Sequence, residues 1–219
     1  MPDPRAVAAD LLAVGAVTLR PGEPFTWASG LKSPIYCDNR LTLASPDVRR
    51  RLTDGFAAEL ERRGLRPDVV AGTATAGIPH AAWLADRLGL PLIYVRSSAK
   101  AHGRGNLIEG RLEAGQRVVL VEDTVSTGGS SLEAVEALRE AGAEVELLVA
   151  VFTYGFARAE RAFAEAGVPL AALTDYAALV ASAAAAGLVS DADRATLAAW
   201  RADPEGWSEE AASRPTADG

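Results

Sequence analysis

The residues best suited to chemistry lie in one stretch, where a run of apolar residues gives way to acidic, hydroxyl and glycine residues. Residues 118–121 are followed by Glu122, Asp123 and then Thr124-Val125-Ser126-Thr127-Gly128-Gly129-Ser130. The hydroxyl groups, and backbone N–H groups beside two glycines at the start of a helical pattern, can surround a phosphate group. The adjacent carboxylates can accept hydrogen bonds from the vicinal hydroxyls of a ribose or lie near a hydrated magnesium ion. The stretch therefore predicts a site for a sugar phosphate.

These residues also have a purely structural explanation. Glu122 and Asp123 could merely end a strand, and Ser130 could cap the helix that follows, since acidic and hydroxyl residues are common at such boundaries. That explanation suffices for an isolated acidic pair, but it gives no role to two glycines and four hydroxyl groups between a strand and a helix. We therefore interpret the whole stretch as a ligand site.

A second stretch concentrates basic residues in a chain that is acidic as a whole. The cluster consists of Arg96, Lys100, His102 and Arg104, and it is flanked by Gly103, Gly105 and Gly110. Glycines beside a group of cations are typical of a lid that closes over a substrate, excludes water and reopens for release. The alternative is a solvated hairpin between two strands, in which the glycines serve turns and His102 is only a surface residue.

Composition argues against several classes of partner and location. A net charge of −7 argues against a nucleic-acid partner or an acidic membrane, because clustered Lys and Arg bind phosphate backbones. No apolar stretch is long enough to cross about 30 Å of hydrocarbon, and none resembles a signal peptide. The single cysteine, Cys37, rules out an internal disulfide and fits a reducing compartment, so we expect a cytoplasmic protein.

The elements that must position these residues alternate along the chain. Short runs rich in β-branched residues predict strands at residues 68–71, 90–95, 117–121 and 144–152. Apolar periodicity predicts helices at residues 45–64, 78–88 and 132–141. Together they indicate an α/β fold with a parallel sheet covered on both faces. Ligands bind beyond the carboxyl ends of such strands, so the loops after Ala71, Val95 and Val121 should meet at one site.

The remaining segments are expected to complete a single domain of 219 residues. Residues 24–41 lack helical spacing and carry turn signals, which indicates an irregular hood near the site. Residues 171–200 look helical, and the polar tail that follows is expected to be frayed. The predicted division is a core at residues 45–170 and a small hood formed by residues 1–44 together with a helical segment at residues 171–202.

The stretch that ends at Ser130 resembles the phosphoribosyl pyrophosphate motif of the type I phosphoribosyltransferases. The resemblance implies a Rossmann-like parallel-sheet core in which Glu122 and Asp123 bind the ribose hydroxyls and residues 124–130 cradle the 5-phosphate. Two other segments resemble the orotate phosphoribosyltransferase family: residues 25–38 (FTWASGLKSPIYCD) its hood motif, and residues 96–103 (RSSAKAHG) its mobile catalytic loop. Adenine and hypoxanthine enzymes share the phosphate motif but not these two segments.

The implied reaction transfers ribose 5-phosphate from phosphoribosyl pyrophosphate to N1 of orotate, releasing pyrophosphate and giving orotidine 5-phosphate. Departure of pyrophosphate places negative charge on the leaving oxygen, which nearby cations and magnesium stabilise. The implied catalytic residues are Arg96, Lys100, His102 and Asp123. The implied contacts to the donor comprise the three cations and the phosphate motif: Arg96, Lys100, His102, Glu122, Asp123, Thr124, Val125, Ser126, Thr127, Gly128, Gly129 and Ser130.

The resemblance also implies the remaining ligands and the assembly. Ser126 and Tyr36 are expected to contact orotate, although Tyr36 could equally serve to pack the hood onto the sheet. Magnesium is expected to arrive with the donor near Glu122 and Asp123, without direct side-chain ligation. A homodimer is implied, with Lys100 and His102 reaching into the neighbouring subunit's site.

The chain departs from some family members at four positions. Those members have lysines where this chain has Ala28, Ala76 and Ser97, and an arginine where it has Tyr154. Other members share the alanine and serine pattern, so we interpret it as a difference between branches. The departures place more weight on Arg96, Lys100 and magnesium for binding pyrophosphate.

Other functions are less consistent with the sequence. A P-loop hydrolase requires Lys-Ser/Thr where Ile78-Pro79 stand. A dinucleotide-binding dehydrogenase requires a G-x-G-x-x-G motif that starts a helix after a strand, and no predicted helix starts with one. A regulator that senses phosphoribosyl pyrophosphate predicts a basic face or an added DNA-binding lobe. The nearer alternative is a transferase for a purine or uracil, from which the hood segment at residues 25–38 distinguishes this chain.

Overall fold

The computed structural model describes residues 3–27, 30–97 and 107–213. Within these ranges the chain forms a mostly parallel sheet with helices on both faces, which confirms the predicted α/β fold class. The strands are β1 Val17–Leu19, β2 Phe25–Thr26, β3 Lys32–Ser33, β4 Ile35–Cys37, β5 Val69–Thr73, β6 Leu92–Val95, β7 Ile108–Glu109, β8 Arg117–Val125, β9 Glu144–Thr153 and β10 Leu170–Asp175. The helices are α1 Pro4–Ala13, α2 Pro46–Arg62, α3 Gly77–Leu88, α4 Gly129–Glu140, α5 Ala157–Glu165, α6 Tyr176–Ala185, α7 Asp191–Ala202 and α8 Pro204–Ser213, with a 3-10 helix at Asn39–Ala44.

The main sheet has the strand order β10-β9-β8-β5-β6-β7. Neighbouring strands from β10 to β6 are parallel, as predicted, whereas β7 pairs antiparallel with β6 at the edge. Every residue of β5 is buried, as expected for a strand covered on both faces. The parallel strands therefore direct their carboxyl ends to one edge of the sheet.

Apolar side chains fill both faces of this sheet. On one face, Phe56 of α2 and Leu84 of α3 lie in a cluster that also contains the side chains of α1, α6 and α7 facing the sheet. On the other face, Leu138 of α4 and Phe163 of α5 pack in a cluster with Leu120. These two cores fix the helices that begin beside the carboxyl edge.

Helix α2 shows why the strongest periodic pattern was predictable. Ser45 caps it by accepting a hydrogen bond from the Val48 N–H group, and Gly64 follows its end with a φ of 68°. Leu52, Phe56 and Leu60 form the buried stripe. The cap, the stripe and the glycine all mark the same element.

Several predicted boundaries were wrong. Residues 171–175, predicted to be helical, belong to strand β10, because they pair with β9, and the helix begins only after Asp175, which caps it. The tail at residues 204–213 is helical rather than frayed, because Trp207 and Ser208 are buried. Strand β8 continues to Val125, beyond the predicted end at Val121, because β9 pairs with it over this length.

The hood is built from two small antiparallel pairs, β1 with β4 and β2 with β3. Helix α8 holds β3 through a 2.8 Å hydrogen bond from the Lys32 N–H group to Ser208 Oγ. The Trp27 ring contacts the rings of Tyr154 and Trp200 at centroid distances of 5.9 and 5.8 Å. The C-terminal helices thus support the hood above the carboxyl edge.

Helix α3 approaches the sheet too closely for a side chain at its first residue. A Cβ atom on Gly77 would lie 2.5 Å from the Val121 carbonyl oxygen and closer still to Thr73 Oγ1. Real Cβ atoms do not approach other heavy atoms to these distances. Gly77 therefore permits α3 to start directly beside the ends of β5 and β8.

We predict that Gly77→Ala destabilises the protein by roughly 1–3 kcal/mol, because the added methyl group forces α3 away from the sheet. Gly22→Ala is the matched control: its Cβ would meet nothing within 4 Å, so its unfolding free energy should stay within about 0.5 kcal/mol of wild type. Urea unfolding measures both values. Equal stability of the two variants would contradict the close packing of α3.

Candidate active site

Three segments meet in a cavity of about 240 Å³ at the carboxyl ends of β5, β6 and β8. It is lined by Thr73, Ala74, Thr75, Ala76, Val95, Arg96, Ser97, Leu107, Glu122, Asp123, Thr124, Ser130, Glu133 and Ala134. The convergence predicted for the loops after these strands is therefore present. Five of the predicted site residues line the cavity, namely Arg96, Glu122, Asp123, Thr124 and Ser130.

Larger hollows lie elsewhere in the described part of the chain, and two of them have about twice the volume of this cavity. One, of about 460 Å³, lies beside Pro67 and Leu90, which precede β5 and β6 at the opposite edge of the sheet. The other, of about 500 Å³, lies against the hood beside Trp27 and Arg158. Neither gathers the strand ends, the helix starts and the acidic pair that meet in the smaller cavity. We therefore assign the chemistry to the smaller one.

The Glu122 carboxyl group lies inside the protein and is 7% exposed. Thr73 donates to Oε1 at 2.6 Å, and Ser131 donates to Oε2 at 3.0 Å. The pKa of Glu122 is raised to about 7: burial raises it most, the hydrogen bond from Thr73 lowers it, and the nearby Asp123 carboxylate raises it. Both oxygens are thus already engaged, one with β5 and the other with α4.

Asp123 is more exposed than Glu122 and belongs to a small hydrogen-bonded group. Thr124 Oγ1 lies 3.2 Å from Asp123 Oδ2 and 3.7 Å from Cys37 Sγ of the hood. Asn39 donates from Nδ2 to both the Asp123 carbonyl oxygen and Thr124 Oγ1, each at 2.9 Å. Burial raises the pKa of the Cys37 thiol to about 12, so it remains a neutral packing group here. The hood therefore contacts the acidic segment directly.

The turn between β8 and α4 presents backbone donors. Gly128 precedes the helix with a φ of 84°, and a Cβ there would lie 2.9 Å from the Phe163 ring, so only glycine fits. No side chain caps α4, contrary to the structural explanation in which Ser130 would cap it. The first-turn N–H groups thus remain available to an anion, which the helix dipole also favours.

The other residues predicted for this motif occupy different positions. Ser126 is half-buried and Thr127 is exposed in the turn, whereas the Val125 side chain is buried in the core. The Val125 carbonyl oxygen accepts a hydrogen bond from the Tyr154 N–H group. Val125 can therefore meet a ligand only through its backbone.

Arg96 is the cation that lines the cavity in the described part of the chain. Its Nη1 atom lies 3.6 Å from Glu109 Oε1, and its backbone N–H group donates to the Leu107 carbonyl oxygen at 2.8 Å. These contacts join Arg96, the first residue of the basic cluster, to two residues that follow the cluster in sequence. The predicted catalytic residues Lys100 and His102 lie outside the described residues.

One of the two predicted contacts to the base, Tyr36, lies in the hood. Tyr36 of β4 is 45% exposed, and its ring lies 5.5 Å from that of Phe25. Tyr154, at the position of the family arginine, is buried and stacks on Phe156 at 5.5 Å. Burial raises the pKa of Tyr154 well above its usual value, so this side chain supplies no charge. Ala28, another departure, lies outside the described residues.

Four residues near the site were missed from the sequence. Thr73, Ser131 and Asn39 support the acidic pair from other elements. His80 of α3 is buried beside Phe56, and neither ring nitrogen has a hydrogen-bond partner in the described residues. Burial lowers the pKa of His80 to about 4, so it is neutral at physiological pH. Only Thr73 could have been found locally, because it lies two residues beyond a predicted strand that leads to the site.

We predict that Glu122→Gln removes a pH dependence of stability between about pH 4.5 and 7. The folded pKa of Glu122 is about 7 and its ordinary value is 4.5, so the folded state binds a proton that the unfolded state has lost. Wild-type stability should therefore fall relative to Glu122→Gln as pH rises through this window, by about 1–3 kcal/mol.

Urea unfolding at half-unit pH intervals measures this difference. The contribution of His80 is present in both proteins and cancels. Glu133→Gln makes the same charge change at an exposed position on the cavity rim and serves as the control. Parallel stability curves for wild type and Glu122→Gln would show that the buried carboxyl does not take up the proton.

The comparisons with known proteins agree with this geometry. The family described as phosphoribosyl transferase domain matches residues 49–170. The orotate phosphoribosyltransferase of Bacillus caldolyticus is 57% identical over 201 residues, which cover 92% of this chain and 97% of the relative. That of Listeria monocytogenes serotype 4b (strain F2365) is 55% identical over 203 residues, with coverage of 93% and 97%. The crystal structure of the Aeropyrum pernix orotate phosphoribosyltransferase aligns with a TM-score of 0.72 and 32% identity, covering 84% of this chain and 99% of that one. The chain therefore belongs to the orotate phosphoribosyltransferase family.

Proposed function

We propose that this protein transfers ribose 5-phosphate from phosphoribosyl pyrophosphate to N1 of orotate, releasing pyrophosphate, in pyrimidine biosynthesis. The observation that carries the proposal is the meeting of the uncapped start of α4 with Asp123 in one cavity. A phosphomonoester fits the former and ribose hydroxyls fit the latter. Membership of the orotate phosphoribosyltransferase family selects the base.

The two acidic residues take different roles in this proposal. Asp123 is half-buried at the cavity and can accept hydrogen bonds from the ribose hydroxyls. Glu122 also lines the cavity and keeps its predicted contact to the ribose, because each carboxylate oxygen can accept a second hydrogen bond; its bonds to Thr73 and Ser131 give it a further role. We assign Glu122 to holding β5, β8 and α4 together beneath the sugar. The motif residues from Thr124 to Ser130 bind the 5-phosphate.

The cations act on the leaving group. As the bond from ribose C1 to pyrophosphate breaks, negative charge grows on the leaving oxygen and positive charge grows on the ribose ring. Arg96 faces the cavity, and Lys100 and His102 complete the group of cations by resemblance. Helix α3 also starts at the cavity, with no side-chain cap at Ala76, so its N–H groups can meet a second phosphate. The base is held from the other side by Ser126 and Tyr36.

Magnesium is proposed to enter with the donor. Within the described ranges, no cluster of three or more His, Cys, Asp or Glu side chains could hold a metal ion alone. The Asp123 carboxylate does provide oxygen donors of the kind that magnesium prefers, beside a cavity that fits phosphates. The ion would neutralise pyrophosphate charge, while the protein positions the sugar.

The assembly and location are also proposals. We infer a homodimer in which the segment containing Lys100 and His102 serves the partner's site, and a cytoplasmic location consistent with the free Cys37. None of the described helices is both long enough and apolar enough to span a membrane.

We predict that purified protein with phosphoribosyl pyrophosphate and magnesium consumes orotate and releases pyrophosphate. Uracil, adenine, guanine and hypoxanthine, offered separately, should not react. The absorbance change of each base and a coupled pyrophosphate assay measure the outcome. Consumption of another base would leave the phosphate assignments intact and overturn the choice of base. Binding of the donor without turnover of any base would favour the alternative function, a regulator that senses phosphoribosyl pyrophosphate.

Lys100→Ala should lower turnover by roughly a hundredfold or more, because one charge partner of the leaving group is lost. Donor affinity should change little. Arg111→Ala is the control, because its side chain is 89% exposed and pairs with Glu113 outside the cavity. An unchanged turnover number in Lys100→Ala would remove Lys100 from the mechanism.

Mixing Lys100→Ala with Asp123→Asn tests the shared site. If the catalytic segment acts across subunits, each mixed dimer contains one site with both native residues, and statistical mixing should restore about a quarter of wild-type activity. If the segment acts within its own subunit, the mixture should be no more active than the separate variants. Subunit exchange is checked by mass spectrometry of the assembled protein.

A further inference from the structure

Asn39 lies where the hood meets the acidic segment. It is the first residue of the 3-10 helix after β4, and its exposed fraction is 0%. The Thr42 hydroxyl donates to its carbonyl oxygen at 2.6 Å, and the Asp38 side chain caps the same helix by accepting from the Arg40 N–H group. The backbone of Asn39 is therefore fixed before its side chain reaches the sheet.

The orientation of the Asn39 amide follows from its partners. The Asp123 carbonyl oxygen can only accept, so the nitrogen of Asn39 must face it, at 2.9 Å. The same nitrogen donates to Thr124 Oγ1 at 2.9 Å, which leaves the threonine hydroxyl free to donate to Asp123 Oδ2 at 3.2 Å. A directed chain of hydrogen bonds thus runs from Asn39 through Thr124 to the Asp123 carboxylate.

The part of β8 that carries Asp123 lies beyond the residues that pair with β5. The register between β5 and β8 ends at Gly72 and Val121, two residues before Asp123. A carboxylate on a backbone segment with one partner strand has freedom that a ligand would have to remove on binding. Asn39 contacts the backbone of Asp123 and the side chain of Thr124, which are the second and third residues beyond the end of that pairing.

We propose that Asn39 is a positioning residue that orients the Asp123 carboxylate toward the ribose of phosphoribosyl pyrophosphate. It acts through Thr124 and the Asp123 backbone and does not itself line the cavity. The hood thereby helps to set the geometry of the sugar contact, in addition to covering the base. The assignment rests on the proposed function for the identity of the sugar ligand.

Asn39→Ala should lower kcat/KM for phosphoribosyl pyrophosphate by about 10- to 100-fold, while the KM for orotate changes less than about twofold. Asn39→Asp should be at least as damaging, because it replaces the donor by a carboxylate beside Asp123. Thr53→Val is the control: it is buried in α2 and also loses one hydrogen bond, to the Arg49 carbonyl oxygen, but the described structure gives it no contact with Asn39 or the acidic segment. Its kcat/KM should stay within about twofold of wild type.

Binding measurements can distinguish an orienting role of Asn39 from a packing role. Isothermal titration with inorganic phosphate and with ribose 5-phosphate gives the affinity that the ribose adds. Asn39→Ala should lose most of that added affinity and keep the affinity for phosphate. Equal losses for the two ligands, or an equal effect in Thr53→Val, would reduce Asn39 to a packing residue.

Thr124→Val provides a second route if Asn39→Ala does not fold, since it breaks the chain at its middle and conserves volume. It should also remove the ribose increment, which is taken relative to its own phosphate affinity because Thr124 is a proposed phosphate contact. The double variant should lose no more of this increment than either single variant, and additive losses of the increment would contradict the proposed chain of hydrogen bonds. A wild-type protein that binds ribose 5-phosphate but does not consume orotate would refute the proposed function. The titrations would still decide the role of Asn39.

Discussion

The Glu122 carboxyl group is the constraint on which the rest of the site depends. It lies at the end of the paired part of β5 and β8, and its oxygens accept hydrogen bonds from Thr73 of β5 and Ser131 of α4. A buried carboxyl without partners would cost several kcal/mol, so these hydroxyls are a condition for placing it there. Satisfying that condition fixes two strands and a helix relative to one another, and the cavity lies beside this junction.

The same junction explains how a chain with a net charge of −7 can bind an anion. Helices α3 and α4 both start at the cavity, and neither has a side-chain cap. Each helix start carries roughly half a positive charge and free N–H groups, which act over a few ångströms. Attraction of the donor is therefore local, and it does not need a basic surface. Glycine is required at both helix starts. A Cβ on Gly77 would clash with the ends of β5 and β8, and a Cβ on Gly128 would clash with the Phe163 ring of α5.

The elements that were predicted correctly are those whose local sequence pattern matches the environment that the fold gives them. Helix α2 has a cap, an apolar stripe and a terminal glycine, and the phosphate motif has its hydroxyls and glycines in one stretch. Residues 171–175 were assigned wrongly because their small apolar side chains suit a helix as well as a strand, and only pairing with β9 decides. Helix α8 was missed because its buried residues are two neighbours, Trp207 and Ser208, which give no helical periodicity.

The supports of the site could not be predicted for a related reason. The residues that meet the ligand come largely from one turn, because a single helix start can surround a phosphate. Their supports must come from other elements: Asn39 is 84 residues from Asp123, and Thr73 is 49 residues from Glu122. A buried amide or hydroxyl looks ordinary in sequence, since its role depends on which unpaired atom the fold brings to it. The acidic pair can therefore be recognised from the local sequence, whereas the orientation of its carboxylates depends on contacts between distant segments.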